Sequence, residues 1–125
     1  MRAFVLLLMA MSVACTPHHG GGTPADEPTP AEGWRLTVIN HHWLDVSVVV
    51  LSDAQRFRVG TISATQTQTF DLPSRMISNG RNVRLEANPI GATRVLTTDP
   101  LDVRAGQRVE WTLETGLERS SVAIW

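Results

Sequence analysis

From Trp34 onward, hydrophobic and polar residues alternate with a period of two, the pattern of half-buried β-strands. A first strand over residues 34–39 puts Trp34, Leu36 and Val38 on one face. The strongest β signal follows in residues 43–51, with four valines in nine residues. There Leu44, Val46, Val48 and Val50 form a purely apolar face. The opposite face, Asp45, Ser47, Val49 and Leu51, begins polar and turns apolar. That combination predicts an inner strand covered on both faces near its end, the central strand of the domain.

The alternation continues. Residues 55–62 predict a strand with Phe57 and Val59 inward, Arg56 and Arg58 outward, and a bulge or bend at Gly60. Residues 65–70 are polar and Thr-rich, which fits an edge. The pattern breaks at residues 72–77, where one turn of helix with Pro73 near its start is expected. Asn79-Gly80 signals a turn. Residues 81–87 direct Val83, Leu85 and Ala87 inward, and residues 107–113 direct Val109, Trp111 and Leu113 inward. Shorter extended stretches are expected at 93–97, 101–103 and 121–125. Seven or eight short strands without a long helix predict an all-β fold over residues 34–125. The expected architecture is a small antiparallel β-sandwich, Ig-like. A transmembrane barrel would need more chain than this.

The first 33 residues follow another pattern. Met1-Arg2 precedes an apolar run over residues 3–13, short of the roughly 20 residues that span a bilayer as a helix. The run fits the core of a signal peptide over residues 1–14. Ser12-Val13-Ala14-Cys15 then resembles the lipobox of bacterial lipoprotein precursors, with Ser12 where those motifs prefer Leu. The resemblance implies cleavage after Ala14, a diacylglyceryl thioether on Cys15 and an acylated amino terminus. Two or three acyl chains anchor a protein stably in a bilayer. Thr16, rather than Asp, in second place implies the outer membrane in a Gram-negative host. Residues 16–33 hold four Pro and four Gly in eighteen positions, so residues 15–33 read as a lipidated cysteine and a disordered tether. As a flexible coil that tether spans roughly 25 Å.

Composition narrows the function classes. The chain of 125 residues is 42% hydrophobic with a net charge of −1, so no basic field exists to hold nucleic acid. All eleven basic residues are Arg, which matches a GC-rich coding bias. The only cysteine is Cys15, so no intramolecular disulfide forms.

Several turn and core segments, Val59-Gly60-Thr61-Ile62, Phe70-Asp71-Leu72-Pro73, Asn88-Pro89-Ile90-Gly91 and Val103-Arg104-Ala105-Gly106-Gln107, resemble those of small β-sandwich lipoproteins of GC-rich environmental bacteria. The turn at Ala105-Gly106-Gln107 is also similar to turns in Ig-like and transthyretin-like domains. The resemblance implies a fold and carries no activity.

The chemistry-bearing residues are few. A blue-copper site needs Cys, His and usually Met together, and the one cysteine lies outside the domain. No H-E-x-x-H, nucleophile elbow or Gly-rich phosphate loop occurs in residues 34–125. No metal or cofactor is therefore expected, and the chain reads as non-enzymatic. Histidine, aromatic and acid converge only at the 40–45 hairpin tip, through His41, His42, Trp43 and Asp45. These are the candidate ligand-binding residues, for a carbohydrate or metal. Trp43 beside a polar turn would stack on a sugar or anchor a partner protein if exposed, and would cap the core if buried. The favoured expectation is that it caps the core. The leading functional expectation is a lipid-anchored envelope protein that binds another protein through a loop end or a strand edge.

Overall fold

The computed structural model describes residues 33–77 and 80–125. Eight strands form two four-stranded sheets. They are β1 (Gly33–Asn40), β2 (Val46–Ser52), β3 (Gln55–Ile62), β4 (Thr67–Pro73), β5 (Arg84–Pro89), β6 (Leu96–Thr97), β7 (Arg108–Leu113) and β8 (Ser121–Ile124). One sheet has the order β4-β1-β7-β8 and the other β3-β2-β5-β6. The expected all-β sandwich is therefore present.

The alternation read from the sequence sets the faces. Trp34, Leu36, Val38, Val109, Trp111 and Leu113 are fully buried from one sheet. Val46, Val48, Val50, Val83, Leu85 and Ala87 meet them from the other. A single core fills the space between, as a sandwich of two inner faces requires. β2 is an inner strand between β3 and β5, as its valines predict.

Two features of the strands and one of their pairing depart from the expected pattern. β2 starts at Val46, so Trp43, Leu44 and Asp45 belong to the preceding loop. The stretch at 93–97 reduces to the two residues of β6, which pair with Glu86 and Ala87 in the middle of β5. Pro73 closes β4 and caps a single 3-10 turn, Ser74–Met76, so the expected helical turn with Pro73 near its start is present. The chain also contains one parallel pair, β1 with β7, in a sandwich expected to be antiparallel throughout. Its cause is simple. Every connection reverses the chain, so all odd-numbered strands run the same way, and the two that meet must be parallel.

The bulge does occur. Val48 pairs with Gly60 but Val49 pairs with Arg58, so Val59 is the extra residue. Beside it, a Cβ on Gly60 would lie 3.0 Å from Phe70 Cε1 of β4, so glycine lets β3 and β4 approach and close that side of the sandwich. The expected edge role of residues 65–70 also holds, since β4 is an outer strand. The Asn79 half of the expected Asn79-Gly80 turn, the signal peptide, Cys15 and the tether lie outside the described residues.

Strand direction divides the sandwich into two ends. Gly33 begins β1 at one end, where its carbonyl accepts from Gly106 N–H and where Trp125 bonds Arg108 in both directions. The loops at 41–45, 63–66, 90–95 and 114–120 gather at the other end.

Candidate functional site

The loop after β1 is organised by a residue that sequence reasoning left in a turn. Asn40 is fully buried at the end of β1. Its Nδ2 donates to the Leu44 carbonyl at 3.0 Å and the Ser63 carbonyl at 3.1 Å, with the Ile62 carbonyl at 3.4 Å. Its Oδ1 accepts from His42 N–H at 2.9 Å. One amide thus satisfies backbone groups on both sides of the loop and at the end of β3 in the opposite sheet. Buried polar groups need such partners. A strand-ending Asn is an ordinary turn former, and nothing in the sequence shows that its amide bridges two sheets.

The four candidate residues take separate partners. His42 is buried, and its Nδ1 accepts from Leu44 N–H at 3.1 Å. A neutral ring with an accepting Nδ1 carries its proton on Nε2. His41 turns to β7, with Nδ1 3.4 Å from Glu114 Oε2, on an exposed surface. Asp45 Oδ1 accepts from Ala64 N–H at 2.9 Å and fastens the β3–β4 turn. His41 and Asp45 therefore reach neighbouring loops while His42 braces its own, and the structure does not converge the three on one point. Among the described residues, no three His, Cys, Asp or Glu side chains group closely enough to hold a metal ion.

Trp43 differs from the other three. It is 68% exposed and stacks on the His42 ring, with centroids 5.5 Å apart and planes 22° from parallel. It does not cap the core, the role expected from its place before the valine run. The physical reason is the loop path: Asn40 and His42 turn inward and fill the end of the sandwich, which leaves Trp43 outside. Ile90, 54% exposed, projects from the next loop, where its N–H donates to the Asp45 carbonyl at 2.8 Å. Two large exposed apolar side chains thus stand on loops joined by a backbone hydrogen bond. Trp43 is held by a buried polar network beneath it, so its stem has little freedom to reorient.

On the outer face of the β2 sheet, Glu86 receives both Arg56 guanidinium nitrogens, at 2.6 and 3.1 Å, and Asn88 Nδ2 at 2.8 Å. These hydrogen bonds, Arg56 first, hold the Glu86 carboxyl below its usual range against the opposing effect of burial. The arrangement is a cross-strand clamp between β3 and β5, which flank β2.

The sequence also gave no sign of a cavity of about 310 Å³ on the side of the sandwich between β6 and β8. Its apolar walls are Leu96, Leu101, Trp111, Leu117 and Val122, and Asp99, Glu118 and Ser120 stand among its polar residues.

No family model matches the chain, and no curated protein matches it. Among solved structures it is similar to one described as the NMR structure of the protein from Eubacterium rectale. That likeness has 17% identity and a TM-score of 0.44, and covers 75% of this chain and 87% of that one.

Proposed function

We propose that the chain is a lipid-anchored protein of a bacterial envelope whose β-sandwich binds a protein partner and performs no catalysis. The anchor rests on Cys15 at the end of the apolar run. The binding role is carried by one observation: Trp43 is exposed on a loop that a buried network holds in place. Rigid exposed aromatics are the side chains that most often dominate interfaces.

Strand direction supports a use for the tether. A chain held at Cys15 reaches the domain at Gly33, at the start of β1. Trp43 lies past the other end of that strand, about 25 Å away for eight residues of β-strand. The Trp43 and Ile90 loops then face away from the membrane.

Clickable fatty-acid labelling tests the anchor: the wild type takes the label and Cys15→Ser loses it. Label that persists in Cys15→Ser refutes the anchor. A photo-crosslinking amino acid at position 43 of the anchored protein tests the binding end. A discrete crosslinked product is expected at position 43 and not at position 56 on the outer sheet face; equal products at both positions refute it. The exposure of Trp43 also favours a second reading, a carbohydrate stacked on its indole. Quenching of tryptophan fluorescence by an oligosaccharide, lost in Trp43→Ala, is the signature of that reading.

A further inference from the structure

We infer that the outer edge of β8 is a second binding site, which takes an extended peptide strand carrying alternate aliphatic residues flanked by basic ones. The hydrogen-bond register identifies the free backbone. Arg108 and Trp125 exchange both backbone bonds, N–H to carbonyl at 2.9 and 3.0 Å. Bonded pairs alternate along an antiparallel ladder. Ala123 with Glu110 and Ser121 with Thr112 are therefore also bonded pairs. Val122 and Ile124, opposite Trp111 and Val109, turn their N–H and carbonyl groups away from β7. Among the described residues β8 ends its sheet, so these groups form an open edge.

The other three edges are blunted. β3 carries a bulge and the charged Arg56 and Arg58. β4 contains Asp71 and ends in Pro73. β6 is two residues long. Charge, proline, bulges and shortness are the ordinary defences against edge pairing. Residues 121–125, Ser-Val-Ala-Ile-Trp, carry no charge, proline or bulge, and β8 is twice the length of β6.

The cavity says what covers this edge. Val122 lines it from β8 and Leu96 from β6, so it opens on the side where a strand added to β8 would lie. Residues paired across a ladder share a face. A side chain opposite Val122 on the added strand therefore points where Val122 points, into the cavity. The walls Leu117, Leu101 and Trp111 suit an aliphatic group. Ser120 Oγ is buried there and finds no hydrogen-bond partner among the described residues. At the polar side, Glu118 pairs with Arg94 at 3.3 Å, and Asp99 has no ion-pair partner among the described residues, which favours a basic flank. A second β8 edge, residues 121–125, would set an aliphatic residue opposite Val122 but brings no basic side chain to Asp99. The occupant is thus a different segment that adds as a β-strand. This site stands apart from the Trp43 end and does not depend on acylation of Cys15.

The test uses the full chain, labelled with ¹⁵N, and one capped nonapeptide. The peptide has threonine at its odd positions and arginine, valine, valine and arginine at its even ones. Saturation is expected to slow amide exchange at Val122 and Ile124 by at least tenfold and to shift the Leu96 and Leu117 resonances. A peptide of the same composition with its valines adjacent should bind at least tenfold more weakly. Val122→Pro removes the outward N–H while leaving the bonds to β7, and should abolish the protection. Ser120→Leu fills the cavity from inside and should weaken binding at least tenfold with the fold intact, so the test does not depend on the proline variant folding. No binding by the nonapeptide, binding without protection at Val122 and Ile124, or undiminished binding by Ser120→Leu would each overturn the proposal. So would protection of the same amides without peptide in a species of twice the mass, which would assign the edge to a second copy.

Discussion

Replacing Asn40 by alanine should cost far more than its single small side chain implies. The amide makes two donor bonds of good length, to Leu44 and Ser63 carbonyls, and one acceptor bond from His42 N–H. The contact to the Ile62 carbonyl at 3.4 Å is too long to count as a full bond. A buried backbone group stripped of its partner costs about 1–3 kcal/mol. The Leu44 and Ser63 contacts are only partly buried, and water will replace part of what they lose. Taking about 1 kcal/mol for each of three bonds gives a loss of about 3 kcal/mol. For a domain of this size that is a fall in Tm of about 15 °C. Urea unfolding followed by the fluorescence of buried Trp34 and Trp111 measures the loss. Asn40→Asp sharpens the test. It keeps the acceptor for His42 but points a carboxylate oxygen at the carbonyls, so it should be worse than alanine at neutral pH. A loss below about 1 kcal/mol in Asn40→Ala, or Asn40→Asp milder than alanine, would refute the view that this amide joins the loop to both sheets.

Other outcomes follow from the same geometry. Gly80 has φ +74°, and a Cβ there would strike the Val103 carbonyl oxygen, so Gly80→Ala should lose more than about 1 kcal/mol in urea unfolding. Glu86 bears a lowered pKa, so its clamp stabilises the fold while the carboxylate is ionised. That stabilisation is whole above the unfolded glutamate pKa of about 4.3 and fades as pH falls through the lower folded value. Glu86→Gln should thus be less stable than wild type at pH 7, by about 1 kcal/mol because Arg56 is largely exposed, and the gap should close in acid. Trp43→Ala should leave stability within about 0.5 kcal/mol of wild type, because the indole covers no core.

Much of the sandwich was legible in the sequence because burial here follows the period of a strand. Val46, Val48 and Val50 read inward and are fully buried, and the same holds for Trp34, Leu36, Val38, Trp111 and Leu113. Trp43 stands outside because β2 begins only at Val46 and the residues before it follow the path of a loop. What sets that start is the turn made by Asn40 and His42, a tertiary network with no local signature. The candidate residues were found as a cluster in sequence, but adjacency in an extended loop throws side chains apart, so His41 and Asp45 reach Glu114 and Ala64 instead of each other. The cavity beside β8 was invisible for a related reason. It is lined by residues from 96–101, 111 and 117–122, and only the packing of two sheets brings them together.

The parallel pairing of β1 with β7 has a consequence for how this protein is made. Arg35 pairs with Arg108, and the core strand that contains it cannot complete its hydrogen bonding until most of the chain is available. Such distant contacts make folding slow, on the order of milliseconds to seconds. The β4-β1-β7-β8 sheet is therefore completed only once residues 108–125 are available, whereas the β3-β2-β5-β6 sheet draws its strands from residues 46–97 alone.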